Sequence, residues 1–211
     1  MKIVALSDTH MAHERLHVPA CDLLIHGGDC TRRGNAAELD AFLRWFADQP
    51  ATARVLIAGN HDFICERDRA HVRAATRQHG IVYLEDEAIE LLGLRLWGSP
   101  ITPSFGSWAF QRRRGAEIAA VWAKIPDRVD VLITHGPPHG LGDKIWLGAH
   151  VGCEELRSRV RAVQPKVHLF GHIHEAFGDH TPPGSPTRYL NVAIRSLLPL
   201  FPNADVTQLE L

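Results

Sequence analysis

Residues 167–177 read VHLFGHIHEAF, and the fold turns on what that stretch is. An apolar run ends at Phe170, and Gly171, His172 and His174 follow at once. With His168 this makes three histidines within seven residues. A core has little use for them, because imidazole is polar and each ring needs a partner once desolvated. A metal site does have a use for them. Residues two apart in an extended segment face the same side, so His172 and His174 can enter one site.

The same arrangement recurs along the chain. Ser7, Asp8, Thr9 and His10 follow one strand-like run, and Gly27, Gly28 and Asp29 follow the next. Gly59, Asn60, His61 and Asp62 follow a third, and His135 and Gly136 a fourth. Counting 167–170, five strands deliver Asp, His, Asn or paired His at their carboxyl ends. In α/β sheets that edge is where ligands bind. Glycines there let backbone turn sharply and approach a ligand. One such motif means little, since DTH is usually a turn and a lone His after a strand is usually just hydrogen-bonded. Five in series are hard to assign to chance.

The candidate donors are Asp8, His10, Asp29, Asn60, His135, His172 and His174. Seven are too many for one tetrahedral zinc. They suit two divalent ions that share a bridging carboxylate. Carboxylate, amide and imidazole ligation without thiolate points to Mn²⁺, Fe²⁺/Fe³⁺ or Zn²⁺, with Mn²⁺ favoured. Ion pairs roughly 3.5–4 Å apart serve phosphoester hydrolysis, clamping phosphoryl oxygens and acidifying a bridging water.

The whole chain sets the bounds. Its 211 residues suit one domain, 1–211, with a substantial core. The net charge of −1 gives no global electrostatic case for nucleic acid or an anionic membrane. Cys21, Cys30, Cys65 and Cys153 form no CxxC spacing and fit a reducing compartment. MKIVALSDTH reaches polar residues too soon for a signal peptide. No apolar run is long enough to span a membrane. The expected setting is the cytoplasm.

Periodicity places strands at 2–7, 22–26, 54–58, 81–84, 88–92, 94–97, 129–134, 166–170, 187–192 and 205–211. Helices are expected at 36–48, 66–79, 114–124 and 154–163. The first has Leu39, Phe42, Leu43 and Phe46 at helical spacing behind Asn35, a suitable N-cap. Strands alternating with helices indicate an α/β fold. The successive strands at 81–97 and near the C-terminus require antiparallel pairs as well. Two packed mixed sheets with helices outside satisfy both patterns.

At this point the order D-x-H, GD, GNHD, H, GHxH resembles the calcineurin-like metallophosphoesterase superfamily. The longer segments LLIHGGD, GNHDF, LWGSPITPSFGSWAF, LITHGPPHG and VHLFGHIHEAFG resemble its metallophosphoesterase-domain-containing family and bacterial relatives. The resemblance runs from about Lys2 to about Val192. It implies a four-layer α-β-β-α sandwich. It also implies one ion on Asp8, His10, Asp29 and His174, and a second on Asp29, Asn60, His135 and His172. His61 would then touch the phosphate or protonate the leaving oxygen, and Asp62 would orient its ring. In some animal members a glycine replaces the first histidine of GHxH and activity is weak, whereas this chain keeps His172.

Other residues carry less. His26 and His168, on strands just before motifs, suit the core or a supporting contact. His139 lies close behind His135 and is a candidate substrate contact. The segment 97–114 concentrates Trp97, Phe105, Trp108 and Phe110 before Arg112, Arg113 and Arg114. A nucleotide wants an aromatic face and a cation, which makes Trp108 and Arg113 candidate substrate contacts. The competing reading is a packed loop with solvated arginines. Asn191 matches a family Asn near the site, but the NVAIRS that follows departs from the usual small residues.

The expected function is hydrolysis of phosphodiesters, cyclic nucleotides included, by a hydroxide bridging two ions. The substrate would be a small phosphoester or nucleotide, without membrane or nucleic-acid partners. Phosphomonoesterase, protein phosphatase and a non-catalytic binding module on the same scaffold are the alternatives.

Overall fold

The computed structural model describes residues 1–194 and 206–211. Its strands are β1 (Lys2–Leu6), β2 (Cys21–His26), β3 (Ala51–Leu56), β4 (Val82–Tyr83), β5 (Glu87–Leu91), β6 (Leu94–Ser99), β7 (Thr102–Pro103), β8 (Gln111–Arg112), β9 (Val131–Thr134), β10 (Val167–Phe170), β11 (Gly178–Asp179), β12 (Arg188–Asn191) and β13 (Thr207–Glu210). Its helices are α1 (Ala36–Ala47), α2 (Phe63–Arg67), α3 (Arg69–Gln78), α4 (Ala116–Trp122) and α5 (Glu154–Val163).

Two large mixed sheets result, as expected. The first has the order β13-β1-β2-β3-β4, parallel throughout except for β13. The second has the order β11-β12-β10-β9-β6-β5, parallel at its centre and antiparallel at both edges. A strand alternates its side chains between faces, and the burial follows that period. Ile3, Ala5, Leu23, Ile25 and Val55 pack with Leu96, Val131, Ile133 and Leu169 of the second sheet. The intervening Val4, Leu6 and Leu24 belong instead to the core that holds Leu39, Phe42, Leu43 and Phe46 of α1. On the other side Trp122 of α4 meets Trp97 of β6 edge to face at 6.3 Å. Each fully buried aliphatic side chain in these layers contributes about 1.5–3 kcal/mol.

Local chemistry sets the ends. The Asn35 side chain accepts from the Glu38 N–H at 3.0 Å and caps α1. The helix expected at 66–79 is two helices. Asp68 leaves helical geometry (φ −135°, ψ 69°), and its side chain caps α3 through the His71 N–H. The third expected helix starts at Ala116, because Gly115 takes φ 82°. The strand expected at 54–58 lies at Ala51–Leu56, drawn forward by its pairing with β2 from Cys21 onward. That expected at 81–84 is only Val82–Tyr83. The β5–β6 hairpin turns through Leu92 and Gly93, both at positive φ. The short β7, β8 and β11 were not expected. Of the strand expected at 205–211, residue 205 lies outside the described residues.

Candidate metal centre

The loops after β1, β2, β3, β9 and β10 converge at the carboxyl ends of both sheets. They are laced by backbone bonds: Asp8 N–H to the Gly28 carbonyl, His10 N–H to that of Asp29, and Gly171 N–H to that of His135. Asp8, His10, Asp29 and His172 all take left-handed backbone, with φ between 42° and 69°. Such conformations cost about 1–3 kcal/mol each in a non-glycine residue and persist only where the surroundings over-determine them. That strain falls on four of the seven candidate donors.

Glycines make the close approach possible. A Cβ at Gly171 would lie 2.2 Å from Asp8 Oδ2 and from Ser7 Oγ, and one at Gly59 would lie 2.3 Å from Asp29 Oδ1.

The seven donors are brought together. His174 Nε2 lies 3.2 Å from Asp8 Oδ1 and 3.3 Å from His10 Nε2. Asp29 Oδ2 lies 3.7 Å from His10 Nε2 and 3.5 Å from His135 Nε2. Asn60 Oδ1 lies 2.9 Å from His135 Nε2. The His172 ring stands 5.1 Å from that of His135, and its backbone N–H donates to Asp8 Oδ2.

Two of these rings are turned by carbonyls. His135 Nδ1 lies 3.0 Å from the Gly27 carbonyl and His10 Nδ1 lies 3.2 Å from that of Thr31. A carbonyl only accepts, so each Nδ1 carries hydrogen and each neutral ring presents the Nε2 lone pair to the centre. This fixing of tautomer is typical of metal-binding imidazole. It leaves acceptors facing acceptors, an arrangement that only a proton or a cation can hold. His174 Nδ1 is also buried without a hydrogen-bond partner.

The electrostatics agree. Burial raises the Asp8 carboxyl, but the hydrogen bond and charge of His174, with His135 and His10, carry it well below the usual range. Asp29, likewise opposed by burial, falls to about 2 beside His135. Burial lowers His135, but the Asp29 carboxylate raises it to about 9. Burial and the His135 charge take His172 down to about 4. Two carboxylates kept ionised in a buried place form a cation site. Donor atoms of Asp8, His10 and His174 lie within 4.8 Å of one another, as do those of Asp29, His135 and His172. The residues therefore fit divalent metal ions, and Asp29 stands between the two groups.

A cleft of about 360 Å³ opens over these residues, walled by Arg32, His61, Phe105, Trp108 and Glu175. His61 also falls within donor range of His10 and Asp29. Its Nδ1, however, is turned to the Arg32 carbonyl at 3.3 Å, and its ring lies against Trp108.

Asp62 does not orient that ring. Its oxygens accept from Thr31 Oγ1 (2.6 Å), Thr31 N–H (2.9 Å) and Gly59 N–H (2.8 Å). It holds the backbone of the turn instead. His139 and Arg113 are not brought to the cleft. His139 turns to the buried Asp143 at 3.7 Å, and Arg113 pairs with Glu117 at 2.7 Å in solvent. His26 and His168 are buried supports, hydrogen-bonded to Thr9 and Thr134. Asn191 donates to the Gly142 and Ile173 carbonyls and accepts from Ala193 N–H, which ties loops together. Arg32 and Glu175 were missed from sequence. Their only signal was position, three residues after Asp29 and one after His174.

Fold and donors together define a class: a two-sheet α/β sandwich that gathers carboxylate, amide and imidazole at its strand ends for divalent ions. The chain belongs to the calcineurin-like phosphoesterase family, whose model matches residues 1–176. Human metallophosphoesterase domain-containing protein 1 is 34% identical over 92% of this chain, which spans only 66% of that protein's length. UPF0046 protein C25E10.12 of Caenorhabditis elegans is 36% identical over 92% of this chain and 75% of its own. Among solved structures, phosphopantetheinyl hydrolase from Mycobacterium tuberculosis aligns over 92% of this chain and 89% of its own, with a TM-score of 0.61. At 14% identity it shares the fold. No helix among the described residues is long and apolar enough to cross a membrane.

Proposed function

We propose that this protein is a metal-dependent phosphoesterase that hydrolyses small phosphodiesters, cyclic nucleotides among them. The observation that carries this reading is the convergence of seven donors from five strand ends, with Nδ1 of His10 and of His135 each held by a carbonyl. One ion would be held by Asp8, His10, Asp29 and His174, the other by Asp29, Asn60, His135 and His172, with Mn²⁺ favoured for both. Bound there, the ions supply Lewis acidity to phosphoryl oxygens and to the attacking water.

The chain's own residues do the rest. The carboxylates of Asp8 and Asp29 are desolvated and ionised, so they hold cations and repel free anions. His61 projects from the turn after β3, its backbone N–H donating to the Asp29 carboxylate at Oδ1, 2.8 Å away. With Nδ1–H turned to the Arg32 carbonyl, Nε2 is the nitrogen available to a substrate, and the imidazolium form of the ring delivers its Nε2 proton to the departing oxygen. Phe105, 53% exposed, gives the cleft an apolar wall for the second ester substituent. That wall favours diesters over monoesters, whose extra negative charge meets a single arginine, Arg32, among the described residues of the lining. The four unpaired cysteines fit a reducing, cytoplasmic setting.

The test is turnover of bis(p-nitrophenyl) phosphate by metal-stripped protein as Mn²⁺ is titrated back. Turnover that appears only with Mn²⁺ supports the reading. Protein that binds two ions yet cleaves neither this diester nor p-nitrophenyl phosphate would return it to a binding role.

A further inference from the structure

The indole of Trp108 is packed on His61. Their ring centroids are 4.3 Å apart and the planes are inclined by 34°. Other contacts act on this imidazole at its rim: the Arg32 carbonyl at Nδ1, 3.3 Å away, and the edge of His10, with centroids 4.6 Å apart and planes at 76°. A single long hydrogen bond and an edge contact leave a half-buried ring free to tilt. The indole supplies the broad surface that defines its plane.

Trp108 is itself held in place. The next residue, Ala109, donates its N–H to the Asn60 carbonyl at 3.1 Å. Phe110 takes positive φ (57°) and donates its N–H to Glu66 in α2 at 2.9 Å. On α2 the Phe63 ring lies nearly parallel to the indole (28°, 6.1 Å), with the Arg67 guanidinium 5.0 Å over Phe63. The loop carrying the indole is thus tied to the Asn60–His61 turn and to the helix that follows it. Indole and imidazole form one unit.

We infer that Trp108 is a positioning residue: it sets the plane of the His61 ring, and so the direction in which Nε2 meets the departing oxygen. This rests on the role given to His61 above. In that hydrolysis the bond from the water oxygen to phosphorus forms as the bond to the departing oxygen breaks. The proton on Nε2 passes to the departing oxygen, the water gives up a proton to solvent, and the ring regains its own from solvent. A weakly basic nitrophenolate leaves without help, whereas phenolate and alkoxide need the proton. Loss of ring alignment therefore acts selectively on poor leaving groups.

The experiment uses Mn²⁺-loaded protein and diesters that share one retained group, with nitrophenol, phenol or a simple alcohol as the departing group. Trp108→Ala should lower kcat roughly 10²-fold for phenol and alcohol, change it little for nitrophenol, and leave KM within about twofold. Trp108→Phe should restore most of the loss. His61→Ala should show the same selectivity, and the double variant should be no worse than His61→Ala alone. In metal-free protein, the His61 Cε1–H resonance should move downfield in Trp108→Ala and less so in Trp108→Phe, because the indole ring current is removed. An equal loss for every departing group with raised KM would make Trp108 a substrate platform and overturn the positioning role. An unmoved His61 resonance would do the same. A wild type that cleaves none of the series fails the phosphoesterase reading itself. An active wild type with a flat leaving-group response in Trp108→Ala fails only the role given to Trp108.

Discussion

Asp29 Oδ2 lies 3.5 Å from His135 Nε2, and the two residues follow strands of different sheets. The carboxylate also reaches towards His10 at 3.7 Å, so it stands between the two donor groups. Removing it should remove the link. Asp29→Ala is expected to bind at most one Mn²⁺ by calorimetry or elemental analysis and to lose roughly 10³-fold in kcat/KM. Two ions still bound in this variant would break the bridging assignment.

Gly171 is needed for space. In Gly171→Ala the new methyl must displace the Asp8 carboxylate and Ser7, both buried and both 2.2 Å away. The expected cost is about 2–4 kcal/mol in urea unfolding, together with weaker Mn²⁺ binding. A variant with wild-type stability and affinity would show that the strand end yields more easily than its packing implies.

Asp62 and His61 should separate by their effects. Asp62→Ala leaves the Thr31 and Gly59 N–H groups without their side-chain acceptor in the buried turn, which costs about 3 kcal/mol. Its kcat should fall equally for good and poor leaving groups. His61→Ala should leave stability nearly intact and penalise poor leaving groups. Unchanged stability in Asp62→Ala would point to direct work on the His61 ring after all.

Acid should destabilise the metal-free protein through His26 and His168. Burial lowers both to about 3, and the ordinary imidazole value is 6.5. His168 Nε2 meets Thr134 at 2.8 Å and its Nδ1 is buried without a partner, beside Phe170 and Tyr189. A depressed folded pKa means that the unfolded chain binds the extra proton between pH 6.5 and 3. The stability is therefore whole above 6.5 and is lost as pH falls towards 3, by about 2 kcal/mol per ring at pH 5. Urea unfolding at pH 7 and pH 5 in EDTA measures it. His168→Phe should shrink the difference, and an identical pH response in that variant would remove His168 as a source.

Much of this was legible because strand period and donor placement reinforce one another. Ile3 and Ala5 face the sheet interface while Val4 and Leu6 face helices. The strand's end sets Asp8 and His10 at the carboxyl edge, where left-handed backbone and bonds to the Gly28 and Asp29 carbonyls, not the strand period, turn them into the site. Where side chains compete with backbone, the sequence was less explicit. Asp68 breaks the helix after α2 because its carboxylate caps α3 better than it continues α2. Asp62 follows His61 in sequence yet turns away, since Thr31 and Gly59 offer it three donors. Arg113, a candidate substrate contact with a solvated arginine as its competing reading, is the solvated one, paired with Glu117 one turn along. Trp108 meets His61 only because a loop 47 residues later is bonded back to Asn60 (Trp108 minus His61). Such long-range contacts leave no periodic trace.

The most direct measurement is an anomalous difference map from a crystal soaked in Mn²⁺. Two peaks are predicted, one among Asp8, His10 and His174 and the other among Asn60, His135 and His172, with Asp29 touching both. A single peak, or peaks away from these residues, would contradict the assignment of this strand edge as a two-ion centre.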